Sequence, residues 1–293
     1  MLIVGGSASR DLAERISKEL DCEFAPVERE RFPDGELYVR IPEEIEGEEV
    51  AVIQSTCYPP NENYMELFLL LDAAKGLGAE KVSAVIPYFA YARQDARFKP
   101  GEAISLKTVA KLIESAGADE VYTIDLHAHR IESTPDVFNI PAQNLTAAPL
   151  LAQYASEEFQ LEDPVVMGPD GEAKQWAENA GKAIGADWDF MVKERLGPEK
   201  VEITPRELDV EGRDVLVIDD IISTGGTMVE AIQILKEHAV KNIYAACTHP
   251  VLGTNALEKI KMAGAEEVVG TDTIPSKVSV VSVAPIIAKA FTQ

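Results

Sequence analysis

Short apolar runs alternate with stretches of helical periodicity from one end of the chain to the other, and this alternation leaves few folds open. A strand buried on both faces reads as a continuous apolar run, and parallel neighbours need a crossover helix between them. The pattern therefore predicts α/β architecture, with helices covering mainly parallel sheets. Strands are expected at residues 2–4, 49–54, 81–86, 120–124, 165–167, 215–218, 242–247, 267–269 and 278–283. Helices are expected near residues 8–20, 65–76, 103–115, 172–184, 226–237, 255–263 and 285–291. At the first of these, GGSAS followed by DLAERI reads as a glycine turn, a serine N-cap and a helix. The segment NIPAQNLTAAP, residues 139–149, interrupts both periods with two prolines and small polar residues. A chain of 293 residues suits two domains of about 150 residues, so the expected division is 1–143 and 144–284, with a C-terminal helix at 285–293 free to pack on the first. No sequence repeats at fixed spacing, so any duplication would be visible only in the fold.

Charge narrows the partners. Fifty acidic residues against 27 basic ones give a formal charge of −23, which repels nucleic acid and anionic membranes at long range. A phosphorylated substrate would then need local positive charge, so basic clusters within loops carry information. Cys22, Cys57 and Cys247 are isolated, with no CxxC spacing, which argues against disulfides or a zinc site and fits a reducing cytoplasm. The start MLIVGGSASRDLAERI lacks a basic region, and no segment approaches the ~18 apolar residues of a membrane span.

The most informative stretch is DVLVIDDIISTGGTMVEAIQILKE, residues 214–237. Asp219 and Asp220 follow directly on an apolar strand, where a buried carboxylate is costly without partners. Sugar hydroxyls or a metal-bound sugar would supply them. Ser223, Thr224, Gly225, Gly226 and Thr227 then offer backbone N–H groups and hydroxyls at a helix N-terminus, a seat for a phosphate dianion. One strand end thus accommodates both halves of ribose 5-phosphate. The chain contains neither GxxxxGK[ST] nor GxGxxG, which removes the P-loop and dinucleotide-binding alternatives.

This string resembles the phosphoribosyl-binding loop of the type I phosphoribosyltransferase fold. The resemblance implies two tandem domains of that fold, but does not say whether phosphoribosyl diphosphate is consumed or made. Further segments resemble the ribose-phosphate pyrophosphokinase family, in an archaeal-like form, and spread over nearly the whole chain. In RFPDGE, residues 31–36, Asp34, Gly35 and Glu36 match the family motif that contacts the adenine of ATP; read alone, the segment is a tight turn into a strand at 37–41. In PYFAYARQDARFKPGEAIS, residues 87–105, the cluster of Arg93, Arg97 and Lys99 fits a polyphosphate. By resemblance, Arg93 and Gln94 contact ATP and Asp95 supports the loop.

In TIDLHAH, His127 follows a strand and can offer a neutral imidazole to a divalent metal; the matching family histidine contacts the Mg2+ of the ATP complex. His129 lies two residues on, and no role is assigned to His238 or His249. VKERLG resembles the family's catalytic flexible loop through Lys193 and Arg195, although a K-x-R by itself reads as solvated charge. MGPDGE resembles the pyrophosphate loop, with Asp170 as the second metal contact, but Glu172 and Ala173 stand where bacterial members commonly have a second glycine. The resemblance implies a homo-oligomeric enzyme that uses ATP, ribose 5-phosphate and Mg2+. A phosphoribosyltransferase would leave the adenine motif and the Arg93 loop unexplained. A non-catalytic regulatory homologue would be expected to have lost Lys193, Arg195, His127 or Asp170.

Overall fold

The computed structural model describes residues 1–128, 136–195, 201–205 and 209–292, with backbone alone for 193–195 and 201–205. It divides into two compact units. The first comprises residues 1–145, 273–275 and 282–293, and the second residues 146–272 and 276–281.

Unit 1 runs β1 (Leu2–Gly5), α1 (Arg10–Leu20), β2 (Glu23–Pro26), β3 (Glu28–Arg31), β4 (Leu37–Arg40), β5 (Glu49–Ile53), α2 (Pro60–Gly76), β6 (Lys81–Ile86), α3 (Ser105–Ser115), β7 (Glu120–Ile124) and β8 (Ala142–Leu145). Six of these strands form a sheet in the order β2-β1-β5-β6-β7-β8, parallel throughout. Register partners Val4, Val52, Ala84 and Val121 cross four strands and belong to one core with Leu67, Leu70 and Leu71 of α2 and Leu106, Ala110 and Ile113 of α3. Their neighbours Ile3, Ala51 and Val85 are fully buried as well, as expected for a sheet covered on both sides. β3 and β4 form a separate antiparallel pair.

Unit 2 runs α4 (Ala148–Glu158), β9 (Val165–Gly168), α5 (Lys174–Ile184), β10 (Asp187–Arg195), β11 (Val201–Pro205), β12 (Asp214–Ile221), α6 (Gly226–Glu237), β13 (Asn242–His249), α7 (Ala256–Ala263), β14 (Glu267–Thr271) and β15 (Ser279–Val281). The sheet order is β11-β10-β9-β12-β13-β14-β15, antiparallel only between β10 and β11. Alternation separates two cores. Met167, Val217, Ala245 and Val268 pack with Met228, Ile232 and Leu235 of α6 and Ile260 of α7. Val166, Leu216, Ile218, Ala246 and Val269 pack with Leu151 and Ala155 of α4 and Trp176 and Ala180 of α5. At Gly181 a Cβ would lie 2.8 Å from the Trp188 Cβ, so only glycine lets α5 approach β10 this closely. The last helix, α8 (Ala284–Phe291), belongs to unit 1, where Phe291 meets Tyr122 with ring centroids 4.8 Å apart.

Several local expectations shift. Ser9 occupies the N-cap of α1 but makes no capping bond with its side chain, because its hydroxyl accepts the buried Ser55 N–H at 2.8 Å. Pro149, expected as an interruption, opens an element instead: it sits in the first turn of α4, as Pro60 does in α2, where the missing N–H costs nothing. Pro141 directly precedes β8 and its carbonyl accepts the Val121 N–H at 2.9 Å. The division between the units in this region falls between Leu145 and Thr146.

Candidate functional site

In a parallel sheet the chain leaves every strand at the same edge, so the loops after β9 and β12, neighbours in unit 2, emerge side by side. Asp170 lies just beyond β9. Its Oδ1 accepts the N–H groups of Glu172 and Ala173 at 2.9 and 3.2 Å, which fixes the carboxyl at the approach to α5. Ala173 is fully buried, and its Cβ would lie 3.2 Å from a Cβ at Gly168. The methyl that stands in place of the expected glycine therefore faces the core, not the loop.

Asp219 and Asp220 occupy the end of β12 behind the fully buried run from Val215 to Ile218. Asp219 keeps a narrow opening to solvent, and its Oδ1 accepts the Asp220 N–H at 2.9 Å. Burial pushes its carboxyl well above the usual carboxylate range, and the negative charges of Asp220 and Asp170 push it further. The parallel pairing of β9 with β12 brings the three carboxylates to one edge. Asp220 is 2 % exposed.

The loop that follows is held by backbone bonds on its rear side. Ile222 donates to the His249 carbonyl at 3.2 Å, while Leu252 and Gly253 donate to the carbonyls of Ile222 and Ser223, both at 2.9 Å. Gly225 takes φ 79° at the N-cap of α6, and a Cβ there would lie 3.2 Å from the Ile260 Cδ1. Gly225 is buried, whereas Thr224, Gly226 and Thr227 are exposed, so the first turn of α6 presents its N–H groups to the open side. The support from His249 at the end of β13 and from Leu252 and Gly253 beyond it comes through peptide groups, which leave no side-chain signal in the sequence.

Lys193 and Arg195 do not lie on a free loop. Their backbones form the end of β10, with Lys193 opposite Ile203 and Arg195 opposite Val201. The antiparallel return strand β11 turns this segment into one arm of a ladder, and the side chains of both residues lie outside the described residues, as does His129.

Unit 1 carries the remaining candidates. Asp34, Gly35 and Glu36 form the tip of the β3–β4 pair, where Gly35 donates to the Phe32 carbonyl and Phe32 to the Glu36 carbonyl, both at 2.9 Å. Gly35 has φ 97°, as the last position of a three-residue hairpin loop requires. All three are exposed. Arg93 and Gln94 follow β6, with Arg93 exposed and Asp95 buried. Gln94 Nε2 donates to the Ala96 carbonyl at 3.0 Å and to Glu102 Oε2 at 3.2 Å. His127, partly buried, follows β7 after Asp125, whose φ is 40°. Asn144 Oδ1 secures that exit by accepting the Leu126 N–H at 2.9 Å and the Thr123 hydroxyl at 3.0 Å. Asn144 and Glu102 lie within the segments 139–149 and 87–105, but the sequence gives neither a role, because both act through bonds to other residues.

Within each unit the structure gathers the candidates at strand exits: Arg93, Gln94 and His127 in unit 1, and Asp170, Asp219, Asp220 and residues 223–227 in unit 2. Among the described residues no three His, Cys, Asp or Glu side chains group so as to hold a metal alone. Asp170 accepts its two backbone N–H groups on one oxygen, so the other fits the single-carboxylate binding typical of Mg2+, which keeps water and substrate phosphates as its other ligands. The three cysteines are free, and burial pushes the Cys247 thiol up, away from reactivity. No helix among the described residues is long and apolar enough to cross a membrane.

The raised Asp219 carboxyl makes a pH prediction. Between the ordinary aspartate value near pH ~4 and its raised folded value, the folded chain binds more protons than the unfolded chain, so stability falls as pH rises through that window. Asp219→Asn should therefore raise the thermal midpoint of the ligand-free protein at neutral pH and flatten that decline. A lower midpoint at neutral pH would contradict it.

Two family models match the sequence: the N-terminal domain of ribose phosphate pyrophosphokinase over residues 1–117, and the phosphoribosyl transferase domain over residues 133–284. The chain is 49% identical over 287 residues to the ribose-phosphate pyrophosphokinase of Methanothermobacter thermautotrophicus, covering 98% of each chain. It is 46% identical over 290 residues to that of Methanopyrus kandleri, covering 99% of this chain and 98% of the relative. Among solved structures, the phosphoribosylpyrophosphate synthetase from Mycobacterium smegmatis superposes with a TM-score of 0.87 at 33% identity, covering 99% of this chain and 97% of that one. Matched over its whole length in sequence and in fold, the chain belongs to the ribose-phosphate pyrophosphokinase family.

Proposed function

We infer that the chain is a ribose-phosphate diphosphokinase, which transfers the β,γ-diphosphate of ATP to the 1-hydroxyl of ribose 5-phosphate and releases AMP. The observation that carries this reading is the β12 exit, where two carboxylates and a helix N-terminal cradle stand together in a chain similar along its full length to such enzymes.

The 5-phosphate sits in the cradle formed by Ser223, Thr224, Gly225, Gly226 and Thr227, bonded to backbone N–H groups and favoured by the α6 dipole. Asp219 and Asp220 accept the ribose hydroxyls. Asp219 is the better acceptor once ionised, so hydroxyl donors or a cation arriving beside it favour the form its surroundings disfavour. Asp34, Gly35 and Glu36 recognise the adenine, while Arg93 and Gln94 hold the rest of ATP. Holding both substrates in place supplies much of the rate gain as orientation.

The anomeric hydroxyl oxygen then forms a bond to the β-phosphorus as the bond from that phosphorus to the α,β-bridging oxygen breaks, AMP leaving with the electron pair and the hydroxyl proton passing to solvent. Lys193 and Arg195 stabilise charge on the transferred group by electrostatics alone. His127 would hold Mg2+ with the phosphates of ATP, Asp170 would be a second metal contact, and the bound ion would supply charge neutralisation. A homo-oligomer in the cytoplasm belongs to the same proposal and rests on resemblance.

The site of bond breaking gives the test. An ATP analogue with a methylene between the α- and β-phosphorus should compete with ATP and yield no AMP, whereas the β,γ-methylene analogue should turn over. The reverse pattern would mean transfer of the γ-phosphate and would overturn the reading. Lys193→Ala should lower kcat by about two orders of magnitude or more while ribose 5-phosphate affinity is largely kept; a near-normal kcat would remove Lys193 from this role.

A further inference from the structure

In the loop between β6 and α3 a single carboxylate oxygen organises the segment that carries Arg93 and Gln94. Glu102 Oε2 accepts the backbone N–H groups of Phe98 and Lys99, each at 2.8 Å, and the Gln94 amide at 3.2 Å. The Glu102 carbonyl accepts Arg97 Nε at 2.9 Å, and its N–H donates to the Lys99 carbonyl at 3.3 Å. Residues 97–102 are thereby closed around one partly buried anion in a loop whose residues 97–101 are all exposed. Hydrogen bonds to a charged acceptor are the stronger kind, and two of these three come from consecutive peptide groups.

The geometry also fixes the Gln94 amide. Its Nε2 faces a carbonyl and a carboxylate, both obligate acceptors, so the nitrogen and oxygen cannot exchange places without losing both bonds. Both Nε2 hydrogens are used inside the loop, and among the described residues Oε1 remains to accept a donor from a ligand. The loop's far end is tied by the Ser105 hydroxyl to the Tyr91 carbonyl at 2.9 Å and by the Leu106 N–H to the Gln94 carbonyl at 3.4 Å.

We infer that Glu102 is a positioning residue for nucleotide binding: it holds the loop from Gln94 to Glu102 closed and sets the Gln94 amide with its oxygen as the acceptor offered to ATP. This rests on the reading of Arg93 and Gln94 as ATP-holding residues. Glu102 itself touches no substrate and acts through Gln94 and the loop backbone.

Steady-state kinetics of the full-length protein with Mg·ATP and ribose 5-phosphate test it, using Glu102→Ala, Glu102→Gln, Gln94→Ala and the double variant Gln94→Ala/Glu102→Ala. Glu102→Ala should raise KM for ATP about tenfold, with KM for ribose 5-phosphate and the thermal midpoint nearly unchanged. Glu102→Gln keeps an oxygen acceptor for the loop and should recover part of that loss. The double variant should be less than additive, because both changes remove one coupled contact. If Gln94→Ala raises KM for ATP and Glu102→Ala does not, the positioning role is overturned while the nucleotide reading stands. If Gln94→Ala itself leaves KM for ATP unchanged, the nucleotide reading of Gln94 fails and takes the inference with it. Equal loss for both substrates with a lowered midpoint would make Glu102 a purely structural residue.

Discussion

Carboxylates at the end of a fully buried strand cannot be left without partners, and much of unit 2 follows from that constraint. The run from Val215 to Ile218 is shut off from water by helices on both faces, and the chain delivers Asp219 and Asp220 to the one edge where it turns outward. The neighbouring β9 delivers Asp170 to the same edge, which raises the Asp219 carboxyl further. An edge this rich in acid has no internal counter-charge in the described contacts of Asp219. Under the proposed function, sugar hydroxyls and a cation are the groups that relieve it.

The cradle beside these acids is made almost wholly of peptide groups, and so is its support. Gly225 is required by a positive φ and by the nearness of Ile260, and the carbonyls of Ile222 and Ser223 are tied to residues after β13. Unit 1 uses a different means, with side-chain acceptors directed at peptide N–H groups. Asn144 secures the exit of β7 ahead of His127, and Glu102 secures the loop after β6. In both units the groups proposed to meet substrate are placed by others that do not.

The strands buried on both faces are readable from sequence because they are mostly apolar runs: the expected bounds 81–86 and 120–124 match β6 and β7, and 226–237 matches α6. The edges were not. β2, β8 and β11 are edge strands with polar or mixed composition, and β10 alternates too irregularly to announce itself, so residues 192–197 read as a loop in sequence. α4 was hidden by Pro149, which signals a break in isolation and a helix start in context. For the site, the acids and the Ser-Thr-Gly-Gly-Thr turn were legible because their chemistry is local. Asn144 and Glu102 were not, since each is defined by bonds to residues up to 21 positions away.

The central claim is that this pair of units moves a diphosphate and not a single phosphate. Incubating the purified chain with ATP, Mg2+ and ribose 5-phosphate, and resolving the products, tests it most directly. The account predicts AMP and phosphoribosyl diphosphate in equal amounts, dependent on ribose 5-phosphate. Formation of ADP, or no turnover while ribose 5-phosphate still binds, would contradict it.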